Sequence, residues 1–148
     1  MSFPMTDLVL AVLHHLAVFT LFGVLVSQFV IVSAMPDEGR TKTLARVDLG
    51  YGLTAAIILI VGGCRVAFAD KGWTFYAHNT AFWAKMAVFA GVGLISIYPT
   101  LTFRRWTRAG AVSKREIARV KSVIVIELAL FALLPVLAAM MARGVGEF

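Results

Sequence analysis

The sequence predicts an all-α integral membrane protein, a bundle of four transmembrane helices. Of its 148 residues, 60% are hydrophobic and 15% are charged, whereas a soluble domain carries roughly a quarter charged residues. The apolar residues fall in four runs, each close to the ~20 residues with which a helix crosses a bilayer core of about 30 Å. Because lipid cannot hydrogen-bond a peptide group, such runs must be helical.

The four helices are predicted over residues 8–34, 49–69, 80–103 and 117–142, in one transmembrane domain that covers residues 1–148. The first run lacks a basic leader, so we interpret it as a retained helix rather than a signal peptide. Met35 and Pro36 break the first helix, and Asp70 closes the second. The aromatic segment that begins at Trp73 is expected to be a loop along the membrane interface.

The basic residues predict the orientation of the chain. Ten of the 14 lysine and arginine residues lie on the side of the loops that follow the first and third helices. The positive-inside rule places that side in the cytoplasm, so both termini and His78 are expected in the periplasm of a bacterial inner (cytoplasmic) membrane. Basic loops between apolar runs are typical of a multi-pass protein and argue against nucleic acid as a partner. Cys64, the only cysteine, cannot form an internal disulfide.

Glu127 is the first candidate functional residue, because an ionisable side chain inside a membrane helix is costly. It lies about ten residues into the fourth helix, or ~15 Å at 1.5 Å per residue. A carboxylate at that depth either pairs with a cation or holds a proton that it can exchange. A neutral glutamic acid that only bonds a neighbouring helix is the structural alternative.

Basic side chains from three helices share one level in the predicted periplasmic half. His14 and His15 lie ~9–11 Å deep in the first helix, and only one is expected to point inward, with His14 preferred. Arg65 and Lys85 lie ~6–8 Å deep. Both either snorkel to the headgroups or form a site with the histidine, since bundles build sites from inward side chains at one level.

This set of groups suits an anionic cofactor. Two cations beside an imidazole suit porphyrin propionates or a carboxylated lipid, and a histidine can ligate haem iron, so haem is a candidate cofactor. Copper is the alternative, since imidazoles and soft thioethers both bind it. Its candidate ligands are the three histidines and three outer methionines: His14, His15, His78, Met86, Met140 and Met141.

Four segments carry a resemblance to a known family: LHHLAVF at 13–19, RVDLGYG at 46–52, FWAK at 82–85 and SIYPT at 96–100. These segments make nearly the whole chain resemble a family of small bacterial inner-membrane proteins, domain of unknown function 2214. That family is distantly similar to the copper-resistance protein D domain and to HemJ-type protoporphyrinogen oxidases, which carry haem b. The resemblance implies that His14 and Lys85 match their early histidine and later lysine. Leu21 departs from a usual tryptophan, and Glu127 has no counterpart there.

Together these observations favour a haem-b-binding or porphyrin-handling membrane protein, an oxidoreductase if it is an enzyme, with quinone or a porphyrin as partner. His14 or His15 is the predicted axial ligand. Arg65 and Lys85 are the predicted propionate partners, and Glu127 and Lys85 are the candidate catalytic residues, with Glu127 exchanging protons. Two other hypotheses stay open: a copper-handling protein and a non-enzymatic subunit of a larger membrane complex. A homo-oligomer is compatible with each.

Overall fold

Four long helices dominate the structure, a computed structural model that describes residues 3–34, 38–68 and 72–146. They are α1 (Phe3–Ser33), α2 (Glu38–Phe68), α4 (Thr80–Ala109) and α5 (Lys114–Ala142). A short helix, α3 (Gly72–Ala77), occupies the aromatic segment that was predicted to be a loop. Each long helix is long and apolar enough to cross a membrane. The predicted all-α four-helix membrane bundle is therefore confirmed.

All four long helices extend further than their apolar runs, and the first begins at Phe3 instead of residue 8. The second helix begins at Glu38 instead of residue 49, the third ends at Ala109 instead of 103, and the last begins at Lys114 instead of 117. Hydropathy marks the part of a helix that lies in lipid, whereas capping sets where it ends. Gly110, with φ of 66°, closes α4, and the Ser113 side chain caps α5. The predicted breaks at 35–37 and 69–71 lie outside the described residues.

The helices form a ring in which α1 packs against α2 and α5, and α4 packs against α2 and α5. The α1–α2 and α4–α5 contacts are the more extensive, so the bundle consists of two tight pairs. Chain order makes every neighbouring pair antiparallel. We call the end that holds α3 and the start of α1 the terminal end, and the end that holds residues 104–121 the basic end.

The surface of the bundle is apolar and its interior holds polar groups. Phe19 and Leu94 are 71% and 70% exposed, and a water-soluble monomer rarely exposes contiguous apolar surface of this kind. The buried residues, in contrast, include Gln28, Asp48 and Glu127 beside the hydrophobic core. This distribution is expected of a protein that contacts the lipid bilayer along the length of its helices.

The start of α4 is fixed by a cap and by the end of the chain. The Asn79 side chain accepts hydrogen bonds from the backbone N–H groups of Ala81 and Phe82, at 2.9 and 3.2 Å. The Gly146 carbonyl oxygen accepts from the backbone N–H of Thr80 at 2.9 Å and from its hydroxyl at 3.1 Å. The turn after α5 is thereby attached to the first residue of α4.

Candidate functional site

His14 and His15 point to different sides of α1. His15 is exposed, and its Nδ1 donates to the Ala11 carbonyl oxygen of its own helix at 2.7 Å. His14 is half-buried against α2, where a Cβ built on Gly62 would lie 3.3 Å from His14 Cε1. Glycine at position 62 thus makes room for the imidazole. His14 Nδ1 is buried and, within the described residues, has no hydrogen-bond partner.

Charged groups from three helices surround this imidazole at the terminal end. Arg65 of α2 and Lys85 of α4 both act electrostatically on His14, and Lys85 is half-buried. Arg65 Nε lies 3.8 Å from Asp7 Oδ1, across the α1–α2 interface. Tyr76 of α3 lies within the electrostatic reach of Arg65 and Asp7, and burial raises the pKa of its hydroxyl. We call Asp7, His14, Arg65, Lys85 and Tyr76 the terminal cluster.

Asp7 and Tyr76 are members of this cluster that sequence reasoning did not single out. Asp7 precedes the apolar run, but α1 begins at Phe3, so the carboxylate lies within the helix. It is seven residues, or about two turns, before His14, which places both on one face of α1. Helical spacing to His14 is the signal that identifies Asp7. Tyr76 gives no comparable signal, because its position depends on how α3 folds back over the bundle.

Glu127 lies outside the terminal cluster. Its side chain is 1% exposed, and its Oε1 has no hydrogen-bond partner in the part of the chain that is described. The groups coupled to it electrostatically are Asp48 and Tyr51, both on α2. The structure therefore brings together His14, Arg65 and Lys85, but it places Glu127 in a second group of polar side chains.

This second group is centred on Asp48. The Gln28 amide donates to Asp48 Oδ1 at 3.3 Å, and the Thr100 hydroxyl donates to the same oxygen at 2.9 Å. One turn further along α2, the buried Tyr51 lies close to the Ser96 side chain. Every long helix contributes to this inner cluster, which consists of Gln28, Asp48, Tyr51, Ser96, Thr100 and Glu127.

The inner cluster could have been found from spacing along α2. Asp48 adjoins the start of the apolar run, which suggests a helix end, yet α2 begins ten residues earlier, at Glu38. Thr41, Leu44, Asp48 and Tyr51 are all buried, and steps of three and four residues separate them. This is the spacing of a seam that packs against neighbouring helices in a bundle. When this spacing is followed from residue 41 onward, it predicts that Asp48 and Tyr51 face the interior of the bundle.

The two clusters lie at different depths. Along α1, fourteen residues separate His14 from Gln28, or about 21 Å at 1.5 Å per residue. Leu21 and Leu25, which are 1% and 0% exposed, occupy the buried face of α1 between them. An apolar layer therefore separates the terminal cluster from the inner cluster.

The candidate metal ligands are dispersed. His78 lies in the turn after α3, where its Nδ1 donates to the Thr74 carbonyl oxygen at 2.9 Å. His15 is turned away from the bundle, and Met140 is exposed at the end of α5. Within the described ranges, no three histidine, cysteine or acidic side chains are placed to hold one metal ion.

A family of known sequences matches the chain. The family described as "Predicted membrane protein (DUF2214)" matches residues 6–146, a range that includes both clusters. No curated protein and no solved structure matches the chain. The wider similarity to the copper-resistance and oxidase domains thus stays a prediction. Since the match covers nearly all of the sequence, the chain belongs to the DUF2214 family of predicted membrane proteins.

Proposed function

We propose that this membrane protein binds haem b, or a related porphyrin, in the terminal half of its bundle and serves as a redox protein of a bacterial inner membrane. The observation that carries the proposal is the terminal cluster: one inward imidazole, whose Nδ1 has no hydrogen-bond partner among the described residues, beside two cations from other helices. A buried polar atom without a partner calls for an explanation, and a ligand is one of the usual ones.

The chemistry of three side chains in the terminal cluster supports a haem as the ligand. His14 would bind the haem iron, and Arg65 and Lys85 would hold the two propionates by charge-assisted hydrogen bonds. Asp7, 3.8 Å from Arg65 Nε, orients that guanidinium from α1. Bound haem would supply one-electron chemistry, and its potential would be tuned by His14 and the surrounding charges.

The same proposal includes a role for Glu127 and an orientation of the bundle in the membrane. Glu127 is assigned proton exchange rather than cofactor contact, because intramembrane carboxyl groups commonly belong to proton relays and its neighbours are in the inner cluster. The basic end is assigned to the cytoplasm by the positive-inside rule, so the haem would lie in the periplasmic half. Reporter fusions at Gly110 and at the C-terminus test that orientation: a cytoplasmic C-terminus would overturn it.

An optical spectrum tests the haem proposal. The protein is expressed with ample haem precursor, purified in detergent and measured between 350 and 650 nm, roughly the range of haem absorption. We expect a Soret band in the wild type and in His15→Ala, and its loss in His14→Ala. Helical content by circular dichroism checks that each variant folds. A wild type without a Soret band, or a folded His14→Ala variant with an unchanged one, overturns the proposal.

The same purified sample tests the two other hypotheses. Stoichiometric copper by elemental analysis, lost in a His14→Ala, His15→Ala double variant, would favour copper handling. A stable co-purifying protein without cofactor would favour an accessory subunit. Neither has a supporting geometry of its own in the described part of the chain, where the histidines do not converge.

A further inference from the structure

A groove between α2 and α4 opens beside the inner cluster. Its volume is about 340 Å³, at the lower end of the range of small-molecule sites. It lies where the two tight helix pairs meet. Leu49, Leu53 and Leu59 line it and are 61%, 60% and 57% exposed, so its rim faces the surrounding lipid.

The lining is polar at the basic end of the groove. Asp48, Tyr51, Ser96 and Thr100 line this part, and Arg104 lies at its end and acts electrostatically on Asp48. Both donors to Asp48 bind Oδ1, and a carboxylate can accept further hydrogen bonds at its second oxygen. The groove thus combines an apolar entrance from lipid with hydrogen-bonding groups at its inner end.

Two glycines keep the groove open. Gly52 of α2 and Gly93 of α4 both line it, and a Cβ built on either would meet no atom within 4 Å. Neither glycine is therefore required by close contact between the helices. A larger side chain at either position would extend into free space and occupy the groove.

We propose that this groove binds a lipid-soluble quinone and its quinol, taken directly from the bilayer. A lipid acyl chain alone would leave the polar inner end facing hydrocarbon, which is unfavourable for groups that can hydrogen-bond. A quinone matches both parts, because its tail is apolar and its neutral ring carries oxygens at the edge. A quinol hydroxyl donates to the second carboxylate oxygen of Asp48, and a quinone carbonyl accepts from the Tyr51 hydroxyl. Because the groove is formed without haem, the quinone proposal does not depend on haem binding at the terminal cluster.

Binding of decylubiquinone and of its reduced form to haem-free protein in detergent tests this assignment, with titration calorimetry as the readout. We expect saturable binding to the wild type and a loss of at least about tenfold in Gly93→Leu, because the new side chain takes up the ligand's volume. Gly63→Leu is the matched control. Gly63 is exposed, lies outside the groove and also has open space at its Cβ.

A second variant tests the orientation of the ring. Asp48→Asn replaces a carboxylate acceptor by a neutral amide, and a hydrogen bond to a charged group contributes about 1.5 kcal/mol or more, or roughly tenfold in affinity. We expect the quinol to bind about tenfold more weakly to this variant while the quinone changes little. A purely structural role of Asp48 would weaken both alike.

Three results would overturn the proposal: no saturable binding, equal binding by Gly93→Leu and Gly63→Leu, or equally strong competition by a decyl compound that lacks the ring. The last result would identify the groove as an acyl-chain site. Circular dichroism of each variant confirms that the bundle is folded before binding is measured. Haem binding can fail while quinone binding succeeds, and the reverse, so the two proposals are distinguishable.

Discussion

Removing the Thr100 hydroxyl tests whether the inner cluster joins the two helix pairs. This hydroxyl donates to Asp48 Oδ1 at 2.9 Å across the α2–α4 interface, and the other donor, Gln28 of α1, is more distant at 3.3 Å. Thr100→Val preserves the shape of the side chain and removes the shorter of the two bonds. Asp48→Ala removes both.

The expected magnitude follows from the environment of the bond. Hydrogen bonds between membrane helices contribute about 0.6 kcal/mol on average and up to about 1.7, and charged acceptors lie at the upper end. We expect Thr100→Val to lower the free energy of unfolding by about 1–1.5 kcal/mol. Asp48→Ala should lower it by about 2–3 kcal/mol. In the double variant the losses should overlap, with a coupling energy of about 1 kcal/mol.

Unfolding in mixed micelles with increasing dodecyl sulfate, followed by circular dichroism, measures these free energies. Thr102→Val is the matched control on α4, because the buried Thr102 hydroxyl donates to the Tyr98 carbonyl oxygen of its own helix at 2.8 Å. It should show no coupling to Asp48→Ala. A Thr100–Asp48 coupling below about 0.3 kcal/mol, the usual limit of additivity, would refute the view that this bond holds α2 to α4.

Two further predictions concern the ends of the bundle. Gly146→Ala should destabilise by about 2–3 kcal/mol, since φ is 90° and the new Cβ would lie 2.3 Å from Thr80 Oγ1. Gly110→Ala, at φ of 66° with open space around it, should cost only about 1 kcal/mol; equal thermal shifts in the two variants would contradict the attachment of the C-terminal turn. Trp106→Phe removes the indole N–H that donates to Glu116 Oε2 at 3.1 Å and should destabilise by about 1 kcal/mol. Thermal melting in detergent measures this loss of stability. Trp106→Phe should destabilise a Glu116→Gln protein less than it destabilises the wild type.

The terminal cluster shows which features of a site helical periodicity predicts and which it does not. Depth along each helix follows from counting residues at 1.5 Å each, so the common level of His14, Arg65 and Lys85 is predictable. The direction in which His14 points depends on contact with Gly62, a residue of another helix. The sequence of one helix does not predict where the neighbouring helices lie. An apolar helix in lipid also lacks the polar face that orients an amphipathic helix in water.

Glu127 shows the same limit for a single buried residue. Its depth in the membrane is evident from the sequence, but its neighbours are Asp48 and Tyr51, not the basic residues nearer the terminal end. The depth of a residue in the membrane defines its level in the bundle. It does not determine which helix that residue faces. Which helices lie side by side is decided by packing, and α2 and α4 leave the groove between them.

Four membrane crossings as helices follow from the sequence alone, because the cost of burying peptide groups in lipid leaves no other structure for apolar runs of this length. The sequence also indicates which ionisable residues lie at depth. The three-dimensional packing, in contrast, divides these residues between two separate clusters and places Asp48 inside one of them. Those outcomes depend on contacts among α1, α2, α4 and α5, which arise from side-chain packing between segments distant in the chain.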